Sequence, residues 1–317
     1  MDYGNCYGFN GKNYFDKTTQ KIVKDEETLE KLKKVGIPKT YKNIIICPDP
    51  RNDLVGLAID GKNQIQYFYS DEHKKEAARS KNCNLISFGS VYSRILDDIQ
   101  ETLESPDVNT HDLLHALALK IMTLCHFRPG QSRHLRDNGT YGLTTMNWDH
   151  YSQGINSAKI TFKGKKNQTN SCVIKDPITI DLLQRLNRNS SSGSLLSYNG
   201  ISVTPKSLND FLHQYHPSIT TKTWRTWFAN QSYIEKLSSL GLLPDSQKER
   251  KILSNQIIRS IAEELHHTLA VNKRNYLIPE LEQLFVKEPE RWVDLQMSTL
   301  DSRDFLLKFL EQYCSLT

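Results

Sequence analysis

Four short segments of this 317-residue chain carry the side-chain types that phosphoryl transfer uses. They supply two arginines, several lysines, a histidine and a tyrosine. The planar fork of an arginine binds two phosphate oxygens at once, and a lysine can protonate a poor alkoxide leaving group. A free phenol has a pKa of about 10, and nearby cations ease its ionisation. In chain order these residues are Arg128, Lys165, Lys222, Arg225, His267 and Tyr276.

Taken singly, each residue is weak evidence for a site. An arginine near a helix C-terminus usually interacts with the helix dipole, and a lone histidine is more often an ordinary core or surface residue. Tyr276 is one of 14 tyrosines in the chain. More weight falls on the order of the residues and on the nine-residue separation of Tyr276 from His267.

Positive charge is concentrated in the interior of the chain. With 41 Lys+Arg and 36 Asp+Glu the net charge is only +5, which permits a polyanionic partner without requiring one. Such clusters suit phosphate binding, although a solvated surface gives the same pattern. The clustered residues are Lys159, Lys163, Lys165, Lys166 and Lys175 in one predicted hairpin, and Arg128, Arg133 and Arg136 after one apolar helix.

Several common catalytic motifs are absent from the sequence. It contains no GxxxxGK[ST] phosphate loop, no GxGxxG, no HExxH and no GxSxG. ATP hydrolysis, dinucleotide chemistry, zinc proteolysis and the common serine hydrolases therefore lose their usual support. We expect no cofactor: neither a nucleotide nor a tightly held metal ion.

The six cysteines are scattered and form no CxxC pair, which argues against both a zinc site and a disulfide framework. We therefore expect a reducing, intracellular compartment. The N-terminus lacks the apolar region of a signal peptide, and the most apolar stretch, 113–127, is too short to span a bilayer. We interpret that stretch as a buried core helix.

The periodicity of apolar residues predicts an α+β protein of two domains, 1–76 and 77–317. Short apolar or alternating runs at 43–47, 54–59 and 64–69 predict strands of a small antiparallel sheet. From residue 71 to about 104 the spacing becomes helical. Asn109 or Thr110 can cap the next helix. Further along, two strands (159–162 and 172–174) flank a lysine-rich loop, a helix covers 177–186, and helical patterns dominate to the end.

In order and spacing, these motifs resemble the type IB DNA topoisomerases, most closely the small poxvirus-type enzymes of large DNA viruses. The resemblance covers nearly the whole chain: Arg, Lys, Lys-x-x-Arg, His-Thr and Tyr follow in the family's order. It implies a small β-sheet domain and a larger, mainly helical catalytic domain of the tyrosine recombinase/topoisomerase IB type. The segment Gln66-Tyr67-Phe68-Tyr69 is similar to the family strand that contacts DNA in the major groove.

The resemblance also implies a role for each residue. Tyr276 would attack a DNA phosphodiester and form a 3′-phosphotyrosyl link. Arg128 and Arg225 would hold the non-bridging oxygens, and His267 would hydrogen-bond one of them. Lys165 would protonate the departing 5′-oxygen.

A second lysine and a set of DNA contacts complete the implied site. Lys222 matches a family lysine that assists the proton transfer. The residues expected to contact DNA are Gln66, Tyr67, Tyr69, Arg133, His134, Lys163 and Lys166.

The sequence departs from the family pattern at three places. A glycine precedes the histidine in close relatives, whereas this chain has His266, so either histidine can face the site. Lys163 or Lys166 can replace Lys165 as the acid. The run 131–134 after Arg128 differs from the relatives where the protein would contact bases, so site preference can differ.

The function implied by the resemblance is relaxation of supercoiled DNA without ATP or metal. The partner would be double-stranded DNA, which a monomer would clamp, and no membrane would be involved. The protein would act inside the cell, in the virion or at a viral replication site. A tyrosine recombinase is the nearest rival, but it usually carries His-x-x-Arg where this chain has Lys222-Thr223-Trp224-Arg225. Two further hypotheses are a non-catalytic DNA-binding protein and a scaffold whose cations pair with the acidic tail 277–317.

Overall fold

The computed structural model describes residues 5–49, 52–189 and 193–315. The chain divides into two compact units, Met1–Lys81 and Asn82–Thr317. The division expected between residues 76 and 77 falls inside the long helix Asp71–Glu104, five residues before the boundary of the first unit. Because that helix is continuous, no loop marks a boundary in the sequence.

The first unit is built on a five-stranded antiparallel sheet, whose strands lie side by side in the order β2 (Tyr14–Asp16), β1 (Tyr7–Phe9), β3 (Lys42–Ile46), β4 (Leu54–Ile59) and β5 (Ile65–Tyr69). The predicted strands at 43–47, 54–59 and 64–69 are confirmed, each within one residue at its ends. The two three-residue strands before them are too short for a periodicity to predict. The elements are β1 (Tyr7–Phe9), β2 (Tyr14–Asp16), α1 (Glu26–Lys34), β3 (Lys42–Ile46), β4 (Leu54–Ile59) and β5 (Ile65–Tyr69).

The small core of this unit comprises Tyr14, Leu32, Ile37, Ile44, Ile46 and Ala58. Strand β5 forms one edge of the sheet, and its side chains alternate, so that Tyr67 and Tyr69 are exposed while Gln66 and Phe68 are half-buried.

The second unit is mainly helical, as the sequence predicts. The prediction of a buried helix over 113–127 is confirmed as far as Cys125, and Asn109 is its cap, with a side chain that accepts a hydrogen bond from the Asp112 N–H. The elements of this part are α2 (Asp71–Glu104), α3 (Thr110–Cys125), α4 (Ser132–Asn138), β6 (Tyr151–Gln153), β7 (Ala158–Lys163), β8 (Thr169–Ile174), α5 (Pro177–Asn189), β9 (Ser197–Tyr198), β10 (Ile201–Ser202), α6 (Pro205–His213), α7 (Thr221–Ser238), α8 (Gln247–Glu264), α9 (Leu269–Asn275), α10 (Pro279–Lys287), α11 (Pro289–Met297) and α12 (Ser302–Ser315).

Aromatic packing fixes helix α7 in the core of this unit. Trp227 is buried and packs edge-on against Phe88 of α2, 5.5 Å between ring centroids. At Gly89 the two helices approach so closely that a Cβ atom would lie 2.4 Å from the Trp227 ring. A rigidly held α7 matters because Arg225 projects from it.

The expectation of unpaired cysteines is wrong. All six are paired, as Cys6–Cys47, Cys83–Cys314 and Cys125–Cys172, across 41, 231 and 47 residues of sequence. Scattered spacing was misleading because a disulfide needs two Cα atoms within about 7 Å, and the fold alone brings distant residues that close. The inference of a reducing compartment therefore loses its basis.

Across the described ranges, no helix combines the length and the apolar character needed to cross a bilayer.

Candidate active site

Arg225 lies deep in the second unit, one turn into helix α7. The helix begins at a capping box formed by Thr220 and Thr223. The Arg225 side chain is only 3% exposed, and its guanidinium donates to two main-chain carbonyls, those of Leu265 (2.8 Å) and His126. Burial lowers the pKa of Arg225 to about 10, so it remains a cation at neutral pH.

Arg128 lies three residues after the end of helix α3. Its Nη1 donates to the carbonyl of His266 at 3.2 Å, and its own carbonyl accepts from the N–H of Leu143 at 2.8 Å. The side chain is half-buried. Both arginines are therefore oriented by carbonyls rather than by carboxylates, which leaves their positive charge uncompensated by these contacts.

The structure separates the two histidines that sequence left as alternatives. His266 has a left-handed backbone (φ 54°), and its Nε2 lies 3.0 Å from the carbonyl of Cys125 at the end of α3. His267 instead stacks on Tyr276, with 4.8 Å between ring centroids and 15° between planes. The left-handed region favours glycine, so the backbone at His266 has a conformation that suits the glycine of the family pattern from which this chain departs.

His267 is neutral and has an unused ring nitrogen. Burial and then the charge of Arg225 lower its pKa to about 3. Its Nε2 is buried and has no hydrogen-bond partner in the described part of the chain, while Nδ1 lies 3.3 Å from the carbonyl of Thr268. With its proton on Nε2, this histidine can donate a hydrogen bond to an anionic oxygen. Nδ1 then has no proton to donate to the Thr268 carbonyl, so that long hydrogen bond is lost.

Tyr276 is the C-cap residue of the short helix α9, and two arginine cations act on its half-buried phenol. The guanidinium of Arg225 lies 5.4 Å from the ring centroid. Burial raises the pKa of Tyr276, but the charges and hydrogen bonds of Arg225 and Arg128 outweigh it, so the net shift is downward. A lowered pKa favours the phenolate, which is the nucleophilic form.

Two buried asparagines fix the backbone around Tyr276, and sequence reasoning missed both. Asn230 of α7 donates to the carbonyl of Tyr276 and accepts from the N–H of Ile278, each at 2.9 Å. Asn272 of α9 donates to the carbonyl of Ile258 at 3.1 Å. No signal in the sequence marks either one, because Asn230 is followed by polar residues and Asn272 by basic ones, as exposed asparagines often are. Only burial requires each amide to find partners.

Lys165 is placed on a different element, the turn between β7 and β8. It begins the 3₁₀ turn Lys165–Asn167 and is exposed, and among the described residues no hydrogen bond or ion pair engages it. Gly164 precedes it where a Cβ atom would meet the amide of Asn170 at 2.1 Å. The structure does not bring Lys165 into contact with Tyr276.

Of the other candidate lysines, Lys163 is engaged by the Thr169 hydroxyl at 2.6 Å, and Lys166 is exposed with a left-handed backbone (φ 63°). Lys222 is exposed on the first turn of α7, three residues before Arg225. The choice of the acid among these lysines stays a prediction.

The residues expected to contact DNA lie on several elements. On β5 the Gln66 amide donates to Asp60 at 2.9 Å, Tyr67 is 55% exposed, and Tyr69 stacks on His73. Helix α4 exposes Arg133, which pairs with its neighbour Asp137 at 3.3 Å, and His134. Within the described residues, no three His, Cys, Asp or Glu side chains are grouped as a metal site.

The sequence of this chain is similar to a known protein family and to individual viral proteins. The profile of the family described as eukaryotic DNA topoisomerase I, catalytic core, matches residues 70–284, which include Arg128, Arg225, His267 and Tyr276. DNA topoisomerase 1B of Acanthamoeba polyphaga mimivirus is 26% identical over 313 residues, covering 95% of this chain and 91% of that protein. DNA topoisomerase 1B of Vaccinia virus (strain Copenhagen) is 24% identical over 277 residues, covering 84% and 85%.

Among solved structures, a XerH site-specific recombinase bound to palindromic difH substrate in a post-cleavage complex is similar over 65% of this chain and 52% of its own, with a TM-score of 0.39 and 13% identity. A similarity of that size carries no inference about function.

Proposed function

The chain belongs to the type IB DNA topoisomerase family, and we propose that it relaxes supercoiled DNA through a transient covalent link to Tyr276. One observation carries the assignment of the site: three separate segments bring Arg128, Arg225 and the pair His267 and Tyr276 together, and the two arginines lower the pKa of the Tyr276 phenol.

In this proposal the cleavage step is an exchange of one phosphodiester for another. The phenol releases its proton to solvent water, and its oxygen forms a bond to the phosphorus of one DNA strand. The bond from phosphorus to the 5′-oxygen breaks, and Lys165 gives that oxygen a proton, assisted by Lys222. The free 5′-end rotates, and the 5′-hydroxyl then attacks the 3′-phosphotyrosyl link to reseal the strand. ATP is unnecessary because the covalent link conserves the energy of the broken bond.

Stabilisation of the transition state falls to Arg128, Arg225 and His267 in this proposal. The charge on the non-bridging oxygens rises as the phosphorus is attacked, and preorganised cations held in a desolvated site stabilise that charge most. Arg225 is buried and fixed by two carbonyls, so it needs little reorganisation at the moment of reaction. His267 adds a neutral hydrogen bond from Nε2.

We further propose that the first unit contributes DNA binding through β5. Tyr67 and Tyr69 present their rings on an exposed face of this edge strand. Gln66 is already engaged by Asp60, so a DNA contact from Gln66 requires exchange of that hydrogen bond. The chain acts as a monomer on double-stranded DNA, at the site of viral DNA replication or in the virion. The viral relatives support this setting.

The test is relaxation of supercoiled plasmid in EDTA without ATP. The wild type is expected to relax the plasmid and to form a protein–DNA adduct that survives denaturation, whereas Tyr276→Phe does neither. Tyr198→Phe, a half-buried tyrosine on β9, is the matched control and should behave as wild type. Joined duplexes without relaxation would instead indicate strand exchange, and DNA binding without any adduct would overturn the enzymatic assignment.

A further inference from the structure

Helix α9, which Tyr276 follows as its C-cap residue, is too short to be stable by itself. It has seven residues, whereas isolated helices shorter than about 12 residues are marginal in water. Its position must therefore come from side chains that tie it to neighbouring helices. Asn272 supplies one tie, to the main chain of α8. Lys273 supplies another, through a carboxylate that takes no part in the reaction above.

That carboxylate is Glu282 of α10, and one of its oxygens accepts three hydrogen bonds. The donors to Oε1 are Lys251 Nζ at 2.8 Å, Lys273 Nζ at 2.9 Å and Ser254 Oγ at 3.0 Å. Glu282 is only 13% exposed, against 30% for Lys273 and 49% for Lys251. Burial raises the pKa of Glu282, but the hydrogen bonds and charges of the lysines outweigh it, so the group is ionised at neutral pH.

The Lys273–Glu282 pair closes a short loop of chain around the nucleophile. Tyr276 lies between the two partners, three residues after Lys273 and six before Glu282. Closing a loop this short removes most of the alternative conformations of the residues inside it. Lys273 also donates to Asn255 of α8 at 2.7 Å, so both ends of the loop are attached to the same helix.

The same cluster reaches the helix that carries Arg225. The hydroxyl of Tyr233 on α7 lies 3.0 Å from Ser254 Oγ, which in turn donates to Glu282. Tyr233 and Ser254 are both buried. Helices α7, α8, α9 and α10 therefore meet at Glu282. One set of hydrogen bonds links the helix that carries Arg225 to the helix that precedes Tyr276.

We propose that Glu282 is a positioning residue for the DNA-cleavage step: through Lys273 it holds α9 so that Tyr276 lies against His267 and Arg225. This inference rests on the proposed function. Glu282 touches neither the substrate nor the reacting atoms. Its effect is geometric, and a displacement of about 1 Å at a reacting group costs on the order of 100-fold in rate.

The experiment compares variants of Glu282 and of the two lysines that donate to it. Glu282→Leu and Lys273→Met break the tie to α9, whereas Lys251→Met removes the more exposed of the two lysines that bind Glu282, the one on α8. Two quantities are measured: the single-turnover rate of adduct formation at saturating DNA, with the Kd for DNA, and amide hydrogen exchange of residues 269–278 in the protein alone. Glu282→Gln, which keeps an acceptor for Lys273, is the conservative variant.

We expect Glu282→Leu and Lys273→Met to slow adduct formation about 10- to 100-fold, with a Kd within about twofold of wild type, and to speed exchange of 269–278 about tenfold or more. Lys251→Met should leave the rate and the exchange near wild type, and Glu282→Gln should recover most of the rate.

An unchanged rate in folded Glu282→Leu, or an equal loss in Lys251→Met, would overturn the positioning role. If Glu282→Leu does not fold, Lys273→Met tests the same tie. If the wild type forms no adduct, the proposed function is refuted. If Glu282→Leu nevertheless speeds the exchange of residues 269–278, the role of Glu282 in holding α9 still stands.

Discussion

The imidazole of His267 lies face to face with the phenol of Tyr276, 4.8 Å apart between ring centroids and with 15° between their planes. Helix α9 lies between the two residues in the chain, so one short element sets the distance between the two rings. The stack leaves Nε2 of His267 buried and without a hydrogen-bond partner among the residues that the structure describes, and the charge of Arg225 acts on this ring. A histidine held in this way can donate a hydrogen bond to an oxygen of the reacting phosphate.

The pH dependence of adduct formation should report the influence of Arg225 on Tyr276. Burial raises the pKa of the phenol, while Arg225 and then Arg128 more than offset it. Replacing the cation in Arg225→Gln should therefore raise the pKa of Tyr276 and move the rising limb of the pH–rate profile to higher pH, with a rate loss of about 100- to 1,000-fold near neutrality. Single-turnover cleavage from pH 5 to 10 checks this. An unmoved midpoint would show that Arg225 does not set the phenol's ionisation.

Acid should destabilise the fold through two half-buried histidines. The pKa of His126 and of His267 is lowered to about 3, in each case by burial first. Unfolded histidine titrates near 6.5, so below that pH the unfolded chain binds more protons and stability falls as the pH falls towards 3. Thermal unfolding should show Tm dropping from pH 7 to 5, and less steeply in His126→Asn, which tolerates the left-handed backbone at this position (φ 53°). Equal slopes in both proteins would contradict the assignment.

The leaving group should reveal the acid among the hairpin lysines. Lys165→Ala should slow cleavage of ordinary DNA about 100- to 10,000-fold, but should have little effect on a substrate with a 5′-sulfur leaving group, which needs no proton. Lys163→Ala and Lys166→Ala are the matched controls from the same hairpin, and this selectivity in one of them would transfer the role to that lysine. Equal slowing of both substrates by Lys165→Ala would remove Lys165 from acid catalysis.

Reduction should lower the stability of the second unit. The Cys83–Cys314 bond joins helix α2 to α12 across 231 residues of sequence. Disulfides typically stabilise by about 2–4 kcal/mol, so the double variant Cys83→Ser/Cys314→Ser should lose stability on this scale in chemical denaturation. Adding a reductant should lower the free energy of unfolding of the wild type more than that of the variant, because the variant already lacks this bond. Thiol titration of the denatured, unreduced protein checks the premise, and six free thiols would refute it.

DNA affinity should depend on the exposed aromatic face of β5. Tyr67→Ala should weaken DNA binding about 5- to 100-fold, within the 1–3 kcal/mol typical of one good base contact, while the rate at saturating DNA stays near wild type. Ile22→Ala, another exposed apolar residue of the first unit, is the control. A rate loss without an affinity loss would place Tyr67 outside DNA binding.

Sequence reasoning was strongest for elements with a clear period. Strand β5 alternates along five residues and α3 is apolar along most of its length, so both were predictable from local chemistry. It was weaker at residues whose role depends on a distant partner. Asn230 is unremarkable in sequence, yet it binds the main chain on both sides of Leu277, nearly fifty residues away. Glu282 likewise looks like an ordinary acidic residue near a helix start until its three donors are seen.

The sequence by itself determined the residue types, their order and the elements that carry them, because periodicity and local chemistry act over a few residues. Only the tertiary structure decided which of two adjacent histidines faces Tyr276, because the left-handed backbone at His266 turns one ring towards Cys125 and the next towards the phenol. It also decided the cysteine pairing and the pKa of Tyr276. Disulfide formation, burial and Coulomb attraction depend on distances in space, and the fold sets those distances between residues that lie far apart in the chain.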